Sequence, residues 1–167
     1  MNRLDFLRLF TYSDNCWRLM GDVVAAAGDA WNTPFETTSQ LNTVRLLLAH
    51  TIAAEERMLS FRLQHKEIPL SYDQRAGSSW DELYGDQKKV RAETQVYLAG
   101  LTDSEISGDE IVIPMTVFPN ALTRADALYQ VLNHENYHRG QVITAFQRLG
   151  FDPPNFDYIL LKGNPRG

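Results

Sequence analysis

Apolar residues recur along most of this chain at alternating steps of three and four, the period of a helix with one buried face. Leu7, Phe10, Trp17, Met20 and Val24 keep that rhythm with Asp14 in the gap, and Gly28 stands where such a helix would stop. After a loop containing Pro34, Ser39 is placed to cap a second helix traced by Leu41, Val44, Leu47, Leu48, Ile52, Met58, Leu59 and Phe61. Pro69 and Gly77 punctuate the next connection. Ser79 and Glu82 then have capping-box spacing, ahead of a third helix traced by Trp80, Leu83, Tyr84, Val90, Tyr97, Leu98 and Leu101. Gln87, Arg91 and Thr94 interrupt its stripe and are assigned to the stripe's edge.

Residues 102–120 lose the rhythm. Gly108, Pro114 and Pro119 flank or interrupt Ile111, Val112, Ile113, Val117 and Phe118, which read as extended chain. Pro114 denies them a central strand and leaves an edge strand or an ordered loop. A fourth helix starts near Thr123, with Asp126 at its third position, and stops at Gly150 ahead of Pro153 and Pro154. Phe156, Tyr158, Ile159, Leu160 and Leu161 form an apolar tail expected to lie back on the helices. At about 1.5 Å per residue the first two helices would run roughly 33–39 Å, which is bundle scale. The expected fold is all-α: a four-helix bundle with long connections, a short extended segment before the fourth helix and a packed C-terminal tail. No repeat or linker composition divides residues 1–167, so a single domain is expected.

Composition narrows the classes. One cysteine cannot close an intramolecular disulfide or build a Cys-rich zinc module. A net charge of −5 argues against a general electrostatic grip on nucleic acid or an anionic membrane surface. The longest apolar runs fall far short of the roughly 18 residues that a membrane span needs. Arg3, Asp5 and Arg8 interrupt the first ten residues, unlike the apolar core of a secretory signal, so the expected compartment is the cytoplasm.

The chemistry concentrates in Asn133-His134-Glu135-Asn136-Tyr137-His138-Arg139-Gly140-Gln141. His134 and His138 are one turn apart on one helix face, the spacing at which two imidazoles can share a metal ion. They are in register with Val131, Val142, Ala145 and Leu149, so they point inward, where polar groups need partners. The pair alone leaves metal and structural readings even. His50 tips the balance: it shares an inward face with Leu47, Ala54 and Phe61, and Ala49, Ala53 and Ala54 leave room around it. Three imidazoles leave coordination positions open for water or substrate. His65, beside Gln64 and Lys66 at a helix end, reads as solvated, and Cys16 as a packing residue.

His134-Glu135-x-x-His138 also satisfies the zinc-protease pattern, with Glu as general base. No Glu follows Glu135 to complete a thermolysin-like set, and the longer metzincin pattern wants Gly where Gln141 stands. A di-iron carboxylate site needs a second Glu-x-x-His, and neither His50 nor His65 has Glu three residues before it. Both readings are set aside. For Gly140 the expectation is close helix packing, with clearance beside a metal as the other reading. Arg139 and Gln141 are read either as surface residues or as reaching a substrate or another helix.

With His50 in Leu47-Leu48-Ala49-His50 and the run His134-Glu135-Asn136-Tyr137-His138-Arg139-Gly140-Gln141, the chain resembles the DinB-like family of small four-helix-bundle metal-binding proteins. The resemblance extends through the helix order, the long connection before the last helix and the Pro-Pro tail. It implies a divalent metal, usually zinc or nickel, on His50, His134 and His138, and a homodimer. The family's best understood relatives are metal-dependent transferases that activate a low-molecular-weight thiol, with an isomerase among the more distant ones; many members have no known reaction. The family name reflects induction by DNA damage rather than DNA binding. The expected function is a metalloenzyme acting on a small molecule, in the form of a thiol-dependent transferase. The alternative is a non-catalytic stress-response module whose ion braces the bundle. Glu135 and Arg139 are the candidate catalytic residues, and Arg139, Arg57 or Arg18 would steady an anionic thiol.

Overall fold

Asn2 and Asp5 open the first helix by a reciprocal cap, each side chain accepting from the other's backbone amide at 3.0 Å. In the computed structural model, which describes residues 1–67, 70–114 and 119–162, helix α1 runs Arg3–Ala27. It ends where Gly28 takes a positive φ of 51°, and a 3-10 turn, Gly28–Asn32, leads away. Helix α2, Val44–Glu56, passes directly into a π-helical stretch, Arg57–Leu63. Then come α3 (Tyr72–Arg75), α4 (Trp80–Ala99) and α5 (Asp103–Ser107). Strands β1 (Ile111–Ile113) and β2 (Leu122–Thr123) pair antiparallel as a two-stranded ribbon. The long α6 (Arg124–Arg148) and the short α7 (Tyr158–Leu161) complete the order.

The four long helices form a ring of neighbours: α1 packs on α4 and α6, and α2 packs on the same two. Their apolar stripes meet in two separate cores. Trp17, Met20, Leu47, Ile52, Leu83 and Phe146 belong to one, and Phe6, Phe10, Leu59, Leu98, Leu128 and Leu132 to the other. Chain order through those cores gives the topology. α1 and α6 pass from the second core to the first, whereas α2 and α4 pass from the first to the second. The long connections the sequence predicts are what allow neighbouring helices to run in the same sense.

Most local expectations match. Ser79 with Glu82 forms the capping box expected of it, and the fourth helix starts at Thr123 as expected, where Asp126 completes a second box. At the end of α6, Gly150 takes φ 85°, its amide bonds Gln147 and the Phe151 amide bonds Phe146, a Schellman stop. The tail does pack: the Tyr12 hydroxyl donates to the Phe156 carbonyl at 2.7 Å, and Asn15 donates to the Leu161 carbonyl at 2.8 Å. Four expectations change. The second helix starts at Thr43, whose hydroxyl caps the Leu46 amide, because the Ser39 hydroxyl is used locally by the Leu41 amide. Within 102–120, Thr102 and Glu105 cap the short α5 before the extended chain begins. Gln87, Arg91 and Thr94 are buried rather than at the edge of a stripe. Gly140 is exposed, and a side chain there would meet nothing within 4 Å, so close packing is not its role. Pro69, Val117 and Phe118 lie outside the described residues. Among the described residues, no helix is long and apolar enough to cross a membrane.

Candidate metal centre

Helices α2 and α6 pack along one another, and their facing stripes carry the three inward histidines. His50, from α2, meets His134 and His138, from successive turns of α6. The ring centroids lie 4.4 Å apart for His134 and His138, 4.8 Å for His50 and His138, and 5.1 Å for His50 and His134. One nitrogen from each ring falls within 4.8 Å of the other two. His50 and His134 turn their Nε2 atoms towards each other at 3.1 Å. Donors each roughly 2.0–2.1 Å from a shared ion, at angles between octahedral and tetrahedral, sit about 2.8–3.4 Å apart. The observed separation suits such an ion.

Protonation favours the same use. Burial, followed by the neighbouring His138 and His50, pushes His134 down to about 4. His50 is lowered by burial, then by His138 and Arg57, and His138 is lowered by burial against an opposing hydrogen bond to Gln141. All three are therefore neutral at pH 7, the form that ligates. Gln141, one turn beyond His138, places its Oε1 2.7 Å from His138 Nδ1. That oxygen only accepts, so Nδ1 carries the proton and Nε2 is left with its lone pair towards the cluster. The donor chemistry fits a divalent ion, which these three residues can hold.

Immediately beside His50 and His134 opens a cavity of about 400 Å³. Ala53, Ala54, Met58 and Val131 give it an apolar wall, while Arg57, Arg62 and Tyr72 also line it. Tyr72 meets His50 edge-on, with centroids 5.7 Å apart. Its position is held from below: Arg75 on the same short helix is buried and donates to Glu56 at 2.7 Å and to Asp86 at 3.0 Å. The π-helical stretch supplies Arg57, Met58 and Arg62 to the same wall.

Between the two apolar cores, at the level of the histidines, lies a layer of buried charge. Arg91 on α4 is only 2% exposed; its Nε and Nη2 donate to Glu55 at 2.9 Å each, and it also reaches Glu135 at 3.0 Å and Asp14 at 2.6 Å. Arg139 donates to Glu135 at 2.8 Å and to the Tyr12 hydroxyl at 2.8 Å. The Ser13 hydroxyl donates to Glu135, and Thr94 donates to Glu55 at 2.7 Å. Each of the four long helices contributes, so two guanidinium groups and three carboxylates knit the bundle at mid-height.

This layer decides where the remaining sequence candidates sit. Glu135 borders the cavity, but its oxygens are taken by Ser13, Arg91 and Arg139. Burial alone would raise its carboxyl; Arg91 and Arg139 outweigh that and hold it below the ordinary range. Arg139 belongs to the same layer, not to the surface. Arg57 lies at the cavity, whereas Arg18 is exposed on α1 and His65 is exposed at the end of the π-helical stretch. Cys16 is buried and free, its thiol pushed up by burial, which suits packing. Sequence reasoning missed the orienting role of Gln141, the cavity residues Arg62 and Tyr72, and the ionic layer. The available signal was Gln87, Arg91 and Thr94 recurring inside an apolar stripe, together with Asp14 in the gap of another.

Compared with protein families, residues 9–165 match the family model described as DinB family. No curated protein matches the chain.

Proposed function

The chain belongs to the DinB family, and from that premise we propose that it is a metalloenzyme acting on a small molecule. In this reading His50, His134 and His138 hold a divalent ion, zinc or nickel, and the substrate enters the adjoining cavity. The observation that carries it is that the three-histidine cluster borders, through His50 and His134, a cavity of about 400 Å³, within the usual range of small-molecule sites. A bound divalent ion supplies Lewis acidity to a coordinated thiol or water. The chain's own residues orient and enclose: Gln141 fixes the His138 tautomer, Tyr72 walls the cavity against His50, and Ala53 and Ala54 leave it room.

A thiol-dependent transfer is the specific form we propose. The thiol would come with a cofactor, because Cys16 is buried with its thiol pushed up. Glu135 is a poor proton acceptor in this scheme, held ionised by two guanidinium groups. A purely bracing ion is less well supported, since the ionic layer already ties the four helices at that level. A cytoplasmic, homodimeric protein completes the reading, in keeping with its free thiol and with the family it belongs to.

The test loads the purified chain with zinc or nickel and assays it against a panel of cellular thiols and electrophiles. Metal-dependent conjugation that disappears in His50→Ala, while that variant keeps its melting temperature without metal, is the expected result. A His50→Ala protein whose sole defect is lost thermal stabilisation by metal, with no turnover in the parent, would support the bracing role instead.

A further inference from the structure

Arg57 and Arg62 are five positions apart, which on an α-helix would leave them about 140° apart. Both nevertheless line the cavity beside the histidines. The i→i+5 winding of Arg57–Leu63 is the reason, since it stacks residues five apart on nearly the same side. Like charges are thus brought together: the charge of Arg57 is felt at both Arg62 and His50. Among the described residues Arg57 has no ion pair.

The two carboxylates in the cavity wall do not balance the charge of Arg57. Glu55 gives one oxygen to Arg91 Nε and to Thr94, and the other to Arg91 Nη2. Glu135 is spent on Arg91, Arg139 and Ser13. What faces the cavity is then the Arg57 guanidinium, with that of Arg62 beside it, over an otherwise mainly apolar wall. Guanidinium groups match oxyanions in geometry as well as charge.

Resting on the reading of this cavity as the substrate site, we propose that the Arg57–Arg62 turn is an anion subsite and that the ligand is a small organic carboxylate with an apolar body. The carboxylate lies at the π-helical turn, and the apolar body lies along Ala53, Ala54, Met58 and Val131 towards the histidines. Arg57 is the specificity residue of this arrangement.

The probes are hexanoate and hexanol, titrated by NMR chemical shift into the full chain without metal, so that neither can bind through an ion. Zinc uptake of the same protein is measured separately by chelator competition. Hexanoate is expected to bind roughly tenfold more tightly than hexanol. Arg57→Gln is expected to abolish that preference and leave hexanol binding as it was, with Arg57→Lys intermediate. Arg57 is exposed, so neither variant disturbs the core. Equal binding of the two probes, binding of neither, or an undiminished preference in Arg57→Gln overturns the subsite. Zinc uptake without the preference would sink the subsite alone; the preference without zinc uptake would sustain the subsite and tell against the metalloenzyme reading.

Discussion

Gln141 shows how one uncharged side chain can govern the centre. Its oxygen lies 2.7 Å from His138 Nδ1, so it selects the tautomer whose Nε2 is available to the cluster. Replacing it with Leu should leave the fold intact and lower metal affinity by about 10–100-fold, the usual effect of losing such a partner. Chelator-competition titration of Gln141→Leu beside His138→Ala checks this, with the histidine variant losing more. An unchanged affinity would mean that the hydrogen bond does not orient the ligand. Glu135 makes the complementary point. It occupies the general-base position of a zinc-protease pattern, yet its carboxylate is pulled into the ionic layer by Arg91 and Arg139. The pattern names a residue; its neighbours decide which chemistry that residue can perform.

At the scale of elements, helix starts are written locally. Asn2, Ser71, Ser79, Thr102 and Thr123 each share a capping box with a residue three positions on. For Glu82 and Glu105 the hydrogen bonds from the backbone and hydroxyl of Ser79 and Thr102 lower the carboxyl, and for Asp126 those from the Thr123 hydroxyl and backbone do so. A carboxyl lowered in the folded state contributes stability above its unfolded pKa and loses it as pH falls through the folded value. For Asp126 that loss begins near the ordinary value of 3.8 and is complete below the lowered one. Asp126→Asn should therefore melt at a lower temperature than the parent at pH 7, with the gap closing as pH falls below 3.8 and through the lowered value. Thermal scans across that range test it; a gap independent of pH would show that charge at this cap is immaterial. The π-helical stretch has no comparable local signature. Its sequence, Arg57-Met58-Leu59-Ser60-Phe61-Arg62-Leu63, reads as ordinary helix, and only the winding brings its two arginines to one cavity.

At the scale of the whole molecule, two apolar cores are separated by a charged layer to which all four long helices contribute. Arg91→Met would leave buried Glu55 with only the Thr94 hydroxyl and buried Glu135 with Arg139 and Ser13, and would take the guanidinium from half-buried Asp14. Breaking such a pairing costs roughly 3–5 kcal/mol, which for a chain of this length lowers Tm by about 10 °C. Calorimetry of Arg91→Met and Arg91→Lys checks it, with the lysine variant intermediate because charge survives but the paired contact to Glu55 does not. A parent-like Tm in Arg91→Met would mean that the layer contributes little. The all-α class, the helix starts at Ser79 and Thr123, the stop at Gly150 and the one-turn spacing of His134 and His138 were all legible in the sequence, because each depends on residues within a turn or two of one another. What tertiary structure alone decided spans the chain. His50 meets His134 across 84 positions, Arg91 meets Glu55 across 36 and Asp14 across 77. Helical periodicity tells that a polar side chain points inward, but not which distant group awaits it there. That choice is made when the helices pack, because a buried charge is tolerable only opposite the partner that packing delivers.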